Sequence, residues 1–225
     1  MVLEYKLKKD DTKKTINQIL HDEFNLSLRL FNKLLRNKKI FLNGLNVDTR
    51  SFAKSGDIIT LDLNYNENNS NIIATEMKLD ILYEDDCCLI LNKPAGIPIH
   101  PSQMHYENSL SNGVKFYFDS IGLYKKIRPV NRLDLNTSGI TIFAKNEYIQ
   151  ENLTKQMACN TFKKEYLAVV AGHLKKHQGI IDAPIARKEN SIIERCVSIK
   201  GQKSITEYEV LKEYSQNNYT YSLLK

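Results

Sequence analysis

Arg128-Pro129-Val130-Asn131-Arg132-Leu133-Asp134-Leu135-Asn136-Thr137-Ser138-Gly139 is the stretch on which the reading of this chain turns. Proline biases the residue before it toward extended backbone, so the run reads as extended chain leading into Asp134. The Asn-Thr-Ser-Gly that follows supplies turn and capping chemistry. Asp134 is ionised at neutral pH and has Arg132 two residues away. A carboxylate held on a turn at a positive surface can act as nucleophile or base toward an anionic substrate. It can equally be a turn aspartate that simply pairs with Arg132. The residues by themselves leave both open.

Working outward, the stretch lies in the most basic part of the chain. Between Tyr124 and Lys176 ten basic residues face four acids, which equals the formal net charge of +6 for all 225 residues. A localised positive field suits a polyanion, nucleic acid first; a solvated lysine-rich surface has the same composition. Hydrophobic residues at 42% and charged residues at 26% give the balance of a globular chain. No apolar run approaches the roughly 18 residues of a membrane span, and the first residues lack the apolar core of a secretory signal. Cys87, Cys88, Cys159 and Cys196 form no C-x-x-C pair and read as reduced thiols of a cytoplasmic protein. The nine glycines make no phosphate-binding loop, dinucleotide fingerprint or nucleophile elbow. His173 and His177 lack the intervening Glu of a zinc-protease helix, so no metal is expected.

Three segments follow. Residues 1–63 read as a compact module. Thr15 and Gln18 fit a capping box at a helix start, with Ile16, Ile19, Leu20 and Phe24 behind it at helical spacing. A second helix begins near Ser27, expected to bury Leu28, Phe31 and Leu35 and to carry Arg29, Lys33 and Arg36 on a neighbouring stripe. Asn43-Gly44 tolerates the positive φ angles of a tight hairpin. Residues 64–78 open with five asparagines in eight positions and read as a flexible polar linker. From residue 79 strands outnumber helices without regular alternation, so the fold class is α+β. Strands are expected at Cys87–Leu91, Gly139–Ala144, Phe162–Ala171, Ser204–Leu211 and Tyr219–Leu224. Helices are expected where Leu110, Val114 and Phe118, and later Ile149, Leu153 and Met157, recur every four residues.

Asn131-Arg132-Leu133-Asp134-Leu135-Asn136-Thr137-Ser138-Gly139 resembles the H-R-L-D-x-x-T-S-G motif of the RluA-type RNA pseudouridine synthases, the ribosomal large-subunit group included. Three further blocks agree in order. Leu91 to Pro101 is similar to N-K-P-x-G-x-x-x-H, and Lys164 to Gly172 to K-x-Y-x-A-x-V-x-G. Ala183 to Arg187 with Gly201 to Tyr208 is similar to the downstream sheet. Residues 1–63 resemble the small RNA-binding α/β module often found ahead of such catalytic domains.

The resemblance implies a mixed, mainly antiparallel synthase domain with flanking helices over residues 79–225. It implies isomerisation of uridine to pseudouridine in structured RNA, ribosomal RNA ahead of transfer RNA with both left open, and with no cofactor and no membrane. Asp134 then falls on the catalytic aspartate, Tyr166 on the active-site tyrosine and Arg132 on the arginine that fills the place of the flipped nucleotide. Arg29, Lys33, Arg36, Lys93, His100 and Lys164 become candidate RNA contacts; without the resemblance, Lys93 and His100 beside a Pro-Gly turn read as structural, and the helix stripe as a solvated face. Asn131 stands where the motif has His, an exchange expected to be tolerated. A strand such as Tyr219–Leu224 is expected to lead into a T-G-R-x-H-Q-I-R block that pairs with the aspartate, and that block is not among these residues. The chain thus also reads as a C-terminally truncated synthase, alternatively a non-catalytic RNA-binding derivative.

Overall fold

The computed structural model describes residues 1–191, 193–217 and 219–225. They divide into two compact units, Met1–Phe162 and Lys163–Lys225.

The first unit begins with β1 (Val2–Lys6), α1 (Ile16–Phe24), α2 (Leu28–Arg36), β2 (Ile40–Leu42), β3 (Leu45–Asn46) and β4 (Ile58–Asp62). The strands form an antiparallel sheet in the order β1-β4-β2-β3. Thr15 caps α1 as its sequence predicts: its Oγ accepts from the Gln18 N–H at 3.3 Å while Gln18 Oε1 accepts from the Thr15 N–H at 2.8 Å. Asn43 and Gly44 turn the β2–β3 hairpin at φ 49° and 82°, the left-handed pair such a turn demands. In α2 the expected register is corrected. Leu30, Phe31 and Leu34 enter the core, whereas Leu28 and Leu35 are 67% and 39% exposed. Five apolar residues in nine positions admit two overlapping stripes, and the one facing Ile16, Ile19, Leu20, Ile59 and Leu61 wins.

The same unit continues through β5 (Ile81–Glu84), β6 (Cys88–Lys93), α3 (Leu110–Ser120), β7 (Gly139–Ala144) and α4 (Glu147–Ala158). The strands pair antiparallel as β5-β6-β7. Leu89, Leu91 and Phe143 pack on Leu110, Val114 and Phe118 of α3 in a second core. Ile149, Leu153 and Met157 of α4 are only half-buried.

The Asn-rich segment is not a free tether. Glu67 receives Arg128 Nη1 and Nη2 at 2.6 and 2.8 Å and Lys33 Nζ at 2.9 Å, and Lys33 also reaches Glu147 at 2.6 Å. Burial opposes the charge, yet these donors hold the Glu67 carboxyl down at about 2. Lys125 donates to the carbonyls of Leu63 and Tyr65 at 2.8 and 2.5 Å, and with Lys33 it flanks the Tyr65 ring. Local composition signals flexibility; ion pairs to residues 34 and 61 positions away override it.

The second unit contains β8 (Ala168–Ala171), β9 (Gln178–Asp182), β10 (Ile185–Arg187), β11 (Arg195–Val197), β12 (Ile205–Gln216) and β13 (Tyr219–Leu224). Its antiparallel sheet runs β8-β13-β12-β9, with β10 and β11 as a separate hairpin. The architecture is α+β with mainly antiparallel pairing, as expected. Among the described residues, no helix is long and apolar enough to cross a membrane.

Candidate active site

Two chain segments build the loop that carries Asp134. Residues 128–131 lie antiparallel along β7: the Ala144 N–H donates to Arg128 O at 2.8 Å and the Val130 N–H to Ile142 O at 2.7 Å. Asn131 then extends the ladder with its side chain. Its Oδ1 accepts from the Ile142 N–H and its Nδ2 donates to Ile140 O, both at 2.9 Å. The substitution expected to be tolerated is thus a working part of the scaffold, holding the backbone immediately before Arg132 against β7.

Beyond Arg132 the chain leaves the sheet and turns. The Thr137 N–H donates to Asp134 O at 3.2 Å, and Gly139 at φ 126° returns the chain into β7. From the other side, β6 ends at Lys93, which pairs with Gly139, and Pro94-Ala95-Gly96 follow. The Gly96 N–H donates to Leu135 O at 2.8 Å. Lys93 is fully buried, and its Nζ donates to Pro94 O, Leu135 O and Thr137 O at 2.9, 3.0 and 2.8 Å. An ammonium has three hydrogens, so every donor is spent. Burial pulls the Lys93 pKa down, and the field of Asp134 opposes that pull. The expectation that Lys93 contacts RNA is corrected: the side chain points into the protein and knits the Asp134 loop from beneath, where the carbonyls of Pro94, Leu135 and Thr137 converge on its ammonium.

With its backbone fixed in this way, Asp134 itself is exposed, as are Arg132 and His100. Partial desolvation and the field of Arg132 lower the His100 pKa. Lys93 thus feels the charge of Asp134, and His100 that of Arg132, across two segments more than thirty residues apart. A cavity of about 520 Å³ opens beside the loop, with Asp80, Asn92, Lys93, Pro94 and Ser138 among its walls. Asn92 Nδ2 donates to Asp80 Oδ2 there at 2.9 Å.

The remaining candidates fall elsewhere. Arg29 and Arg36 of α2 are exposed, but Lys33 is drawn into the Glu67 and Glu147 cluster. This corrects the uniform stripe, since a cation committed to two carboxylates has little left for phosphate. Tyr166 and Lys164 lie in the second unit, in chain without regular structure ahead of β8 and outside the strand expected to hold them. Both are exposed, Tyr166 by 50%. Sequence reasoning counted Arg128 among the basic residues but missed its partner Glu67, whose sole signal is one acid among asparagines.

A model of the family described as RNA pseudouridylate synthase matches residues 88–225. The uncharacterized RNA pseudouridine synthase YjbO of Bacillus subtilis strain 168 is 34% identical over 169 residues, covering 75% of this chain and 60% of that protein. An uncharacterized RNA pseudouridine synthase of Aquifex aeolicus strain VF5 is 30% identical over 229 residues, covering 100% of this chain and 71% of the relative. Ribosomal large subunit pseudouridine synthase D of Nitrosomonas europaea is 31% identical, covering 76% of this chain and 49% of that one. The chain spans about 60% of the length of YjbO. In fold it is similar to human RNA pseudouridylate synthase domain containing 1, with a TM-score of 0.52 at 21% identity, over 65% of this chain and 58% of the other. The chain belongs to the RNA pseudouridylate synthase family, in the RluA-type branch whose motifs it resembles.

Proposed function

We propose that the chain isomerises uridine to pseudouridine in structured RNA, with ribosomal RNA in the cytoplasm as the first substrate to test. Asp134 is the residue that acts on the ribose. The observation that carries this reading is an exposed carboxylate on a loop two of whose carbonyls, Leu135 O and Thr137 O, are held by one buried lysine. Such a loop presents the acid without having to order it during the reaction. The glycosidic N1–C1′ bond breaks with Asp134 as nucleophile at C1′ or as base at C2′. Uracil rotates and rejoins through C5. The proton on C5 leaves, with Tyr166 as the candidate base, and N1 gains one. A stacked base keeps its sugar out of reach of a protein carboxylate, so the nucleotide must be everted first; Arg132, exposed beside Asp134, takes its place in the helix.

Residues 1–63 serve as an RNA-binding module, 64–78 as the linker and 79–225 as the catalytic part. Arg29 and Arg36 offer their free charge to phosphate, as do Lys164 and the neighbourhood of His100. The test is tritium release from ribosomal RNA labelled at uracil C5. Wild type should release tritium, and Asp134→Asn should abolish release while keeping RNA affinity and its salt dependence. Binding without release from wild type would leave only the non-catalytic RNA-binding reading.

A further inference from the structure

Away from the Asp134 loop, a second cavity of about 520 Å³ is lined by residues of the first turn of α2, one face of α4 and the segment 126–128. Its charged groups differ in how far they are already committed. Arg128 and Glu147 belong to the ion cluster around Glu67. Arg29 and Lys126 are exposed, and among the described residues neither makes an ion pair. Lys155 spends hydrogens on Asn25 O and Oδ1 at 2.5 and 3.0 Å, closing the C-terminal end of α1, and has no carboxylate partner there. In the same cavity Glu151 Oε1 accepts from Ser27 Oγ at 2.7 Å, while Oε2 is buried with no partner among the described residues.

This combination narrows the ligand. Three cations without acidic partners call for anionic groups, and a bare buried carboxylate oxygen calls for a hydrogen-bond donor. A carboxylate side chain satisfies the first demand and leaves the second unmet, while hydrogenphosphate carries a P–OH donor but offers a single anionic centre to three separate cations. A ribose–phosphate backbone meets both, because its phosphates accept from arginine and lysine and its 2′-hydroxyl donates.

We infer that this cavity seats the RNA backbone, with Arg29, Lys126 and Lys155 on phosphates and Glu151 Oε2 accepting from a ribose 2′-hydroxyl. The inference rests on the reading of the chain as an RNA-modifying enzyme, but it uses no residue of the Asp134 loop. DNA leaves Oε2 unsatisfied, so RNA is preferred over DNA of the same sequence by roughly tenfold through this contact.

The experiment measures fluorescence anisotropy of a labelled RNA hairpin, and of its DNA counterpart, with the full chain between about 50 and about 200 mM salt. Arg29→Ala with Lys126→Ala weakens RNA binding by roughly tenfold and flattens the slope of log K against log salt by about 1.8. Glu151→Leu, of similar size and without the acceptor, brings the RNA-to-DNA affinity ratio toward one; circular dichroism melting establishes that it is folded. In tritium release the double variant raises KM and leaves kcat unchanged. If wild type binds RNA but the double variant keeps its affinity and slope, the cavity assignment is overturned and the catalytic reading stands. An unchanged RNA-to-DNA ratio in folded Glu151→Leu overturns the hydroxyl contact. Wild type that neither binds RNA nor releases tritium overturns the proposed function instead.

Discussion

The buried ammonium of Lys93 donates to the carbonyl of Thr137 at 2.8 Å, tying the last residue of β6 to the far limb of the loop that presents Asp134. The same nitrogen holds Leu135 O and Pro94 O. One side chain therefore serves three carbonyls, of which, among the described residues, Leu135 O alone is also reached by a backbone donor, the Gly96 N–H at 2.8 Å. Lys93→Met keeps the volume and removes every donor, so it should destabilise the protein by about 3 kcal/mol. Activity should fall further than stability accounts for, since the loop loses its support under Asp134. Urea unfolding and tritium release at a temperature where the variant is fully folded measure the two effects separately. Full activity in a folded Lys93→Met would show that the loop keeps its shape unaided.

Glu67 makes stability depend on acidity in a definite direction. Against the cost of burial, Arg128 and Lys33 lower its pKa from 4.5 to about 2. The unfolded chain therefore binds a proton more readily, and the stabilisation is complete above the unfolded value. It is lost as pH falls from about 4.5 toward about 2. Glu67→Gln should cost about 3 kcal/mol at neutral pH, because Arg128, almost wholly buried, keeps only part of its pairing through Glu147 at 3.4 Å. The variant should also show a shallower loss of stability through that acid window. Melting temperatures taken at intervals from neutral to strongly acid pH test both points.

Asn131 answers to a finer test. Its two bonds to the backbone of Ile140 and Ile142 are each worth about 1 kcal/mol, so Asn131→Ala should lose about 2 kcal/mol. Asn131→Asp should be worse than alanine. It keeps an acceptor for the Ile142 N–H but aims a second oxygen at the carbonyl of Ile140. Chemical denaturation ranks the three proteins, and an aspartate variant as stable as wild type would contradict the bonding pattern.

Local signals in the sequence mapped closely onto local structure. Thr15 and Gln18 cap α1, Asn43-Gly44 makes its hairpin, and Gly139–Ala144 is a strand between those same residues. For the cap and the hairpin the decisive interaction spans a few residues. What escaped depends on distance along the chain. The α2 register is chosen by strands that arrive later, Lys93 turns inward because a loop 42 positions on supplies carbonyls, and Glu67 is fixed by Arg128 at a separation of 61. The Asp134 motif was legible as a string, and its presentation was not, because the lysine beneath it and the Asn131 ladder exist only once β6 and β7 pair.

Gly201 gives the second unit its own test. A Cβ added there would lie 2.5 Å from the backbone carbon of Ile185 and 2.7 Å from its nitrogen and oxygen. The contact cannot be relieved by swinging a side chain, since every obstructing atom is main chain. The neighbouring residue shows why the approach is so close: Gln202 and Ile185 exchange N–H to carbonyl bonds at 2.9 Å in both directions, closing β10 onto the segment ahead of β12. Gly201→Ala must push these backbones apart and lengthen both bonds, at a cost of about 2 to 3 kcal/mol. Amide hydrogen exchange should accelerate at Ile185 and Gln202 while β1 to β4 keep their protection. Unchanged exchange at both amides would mean that the backbones have room the structure does not give them.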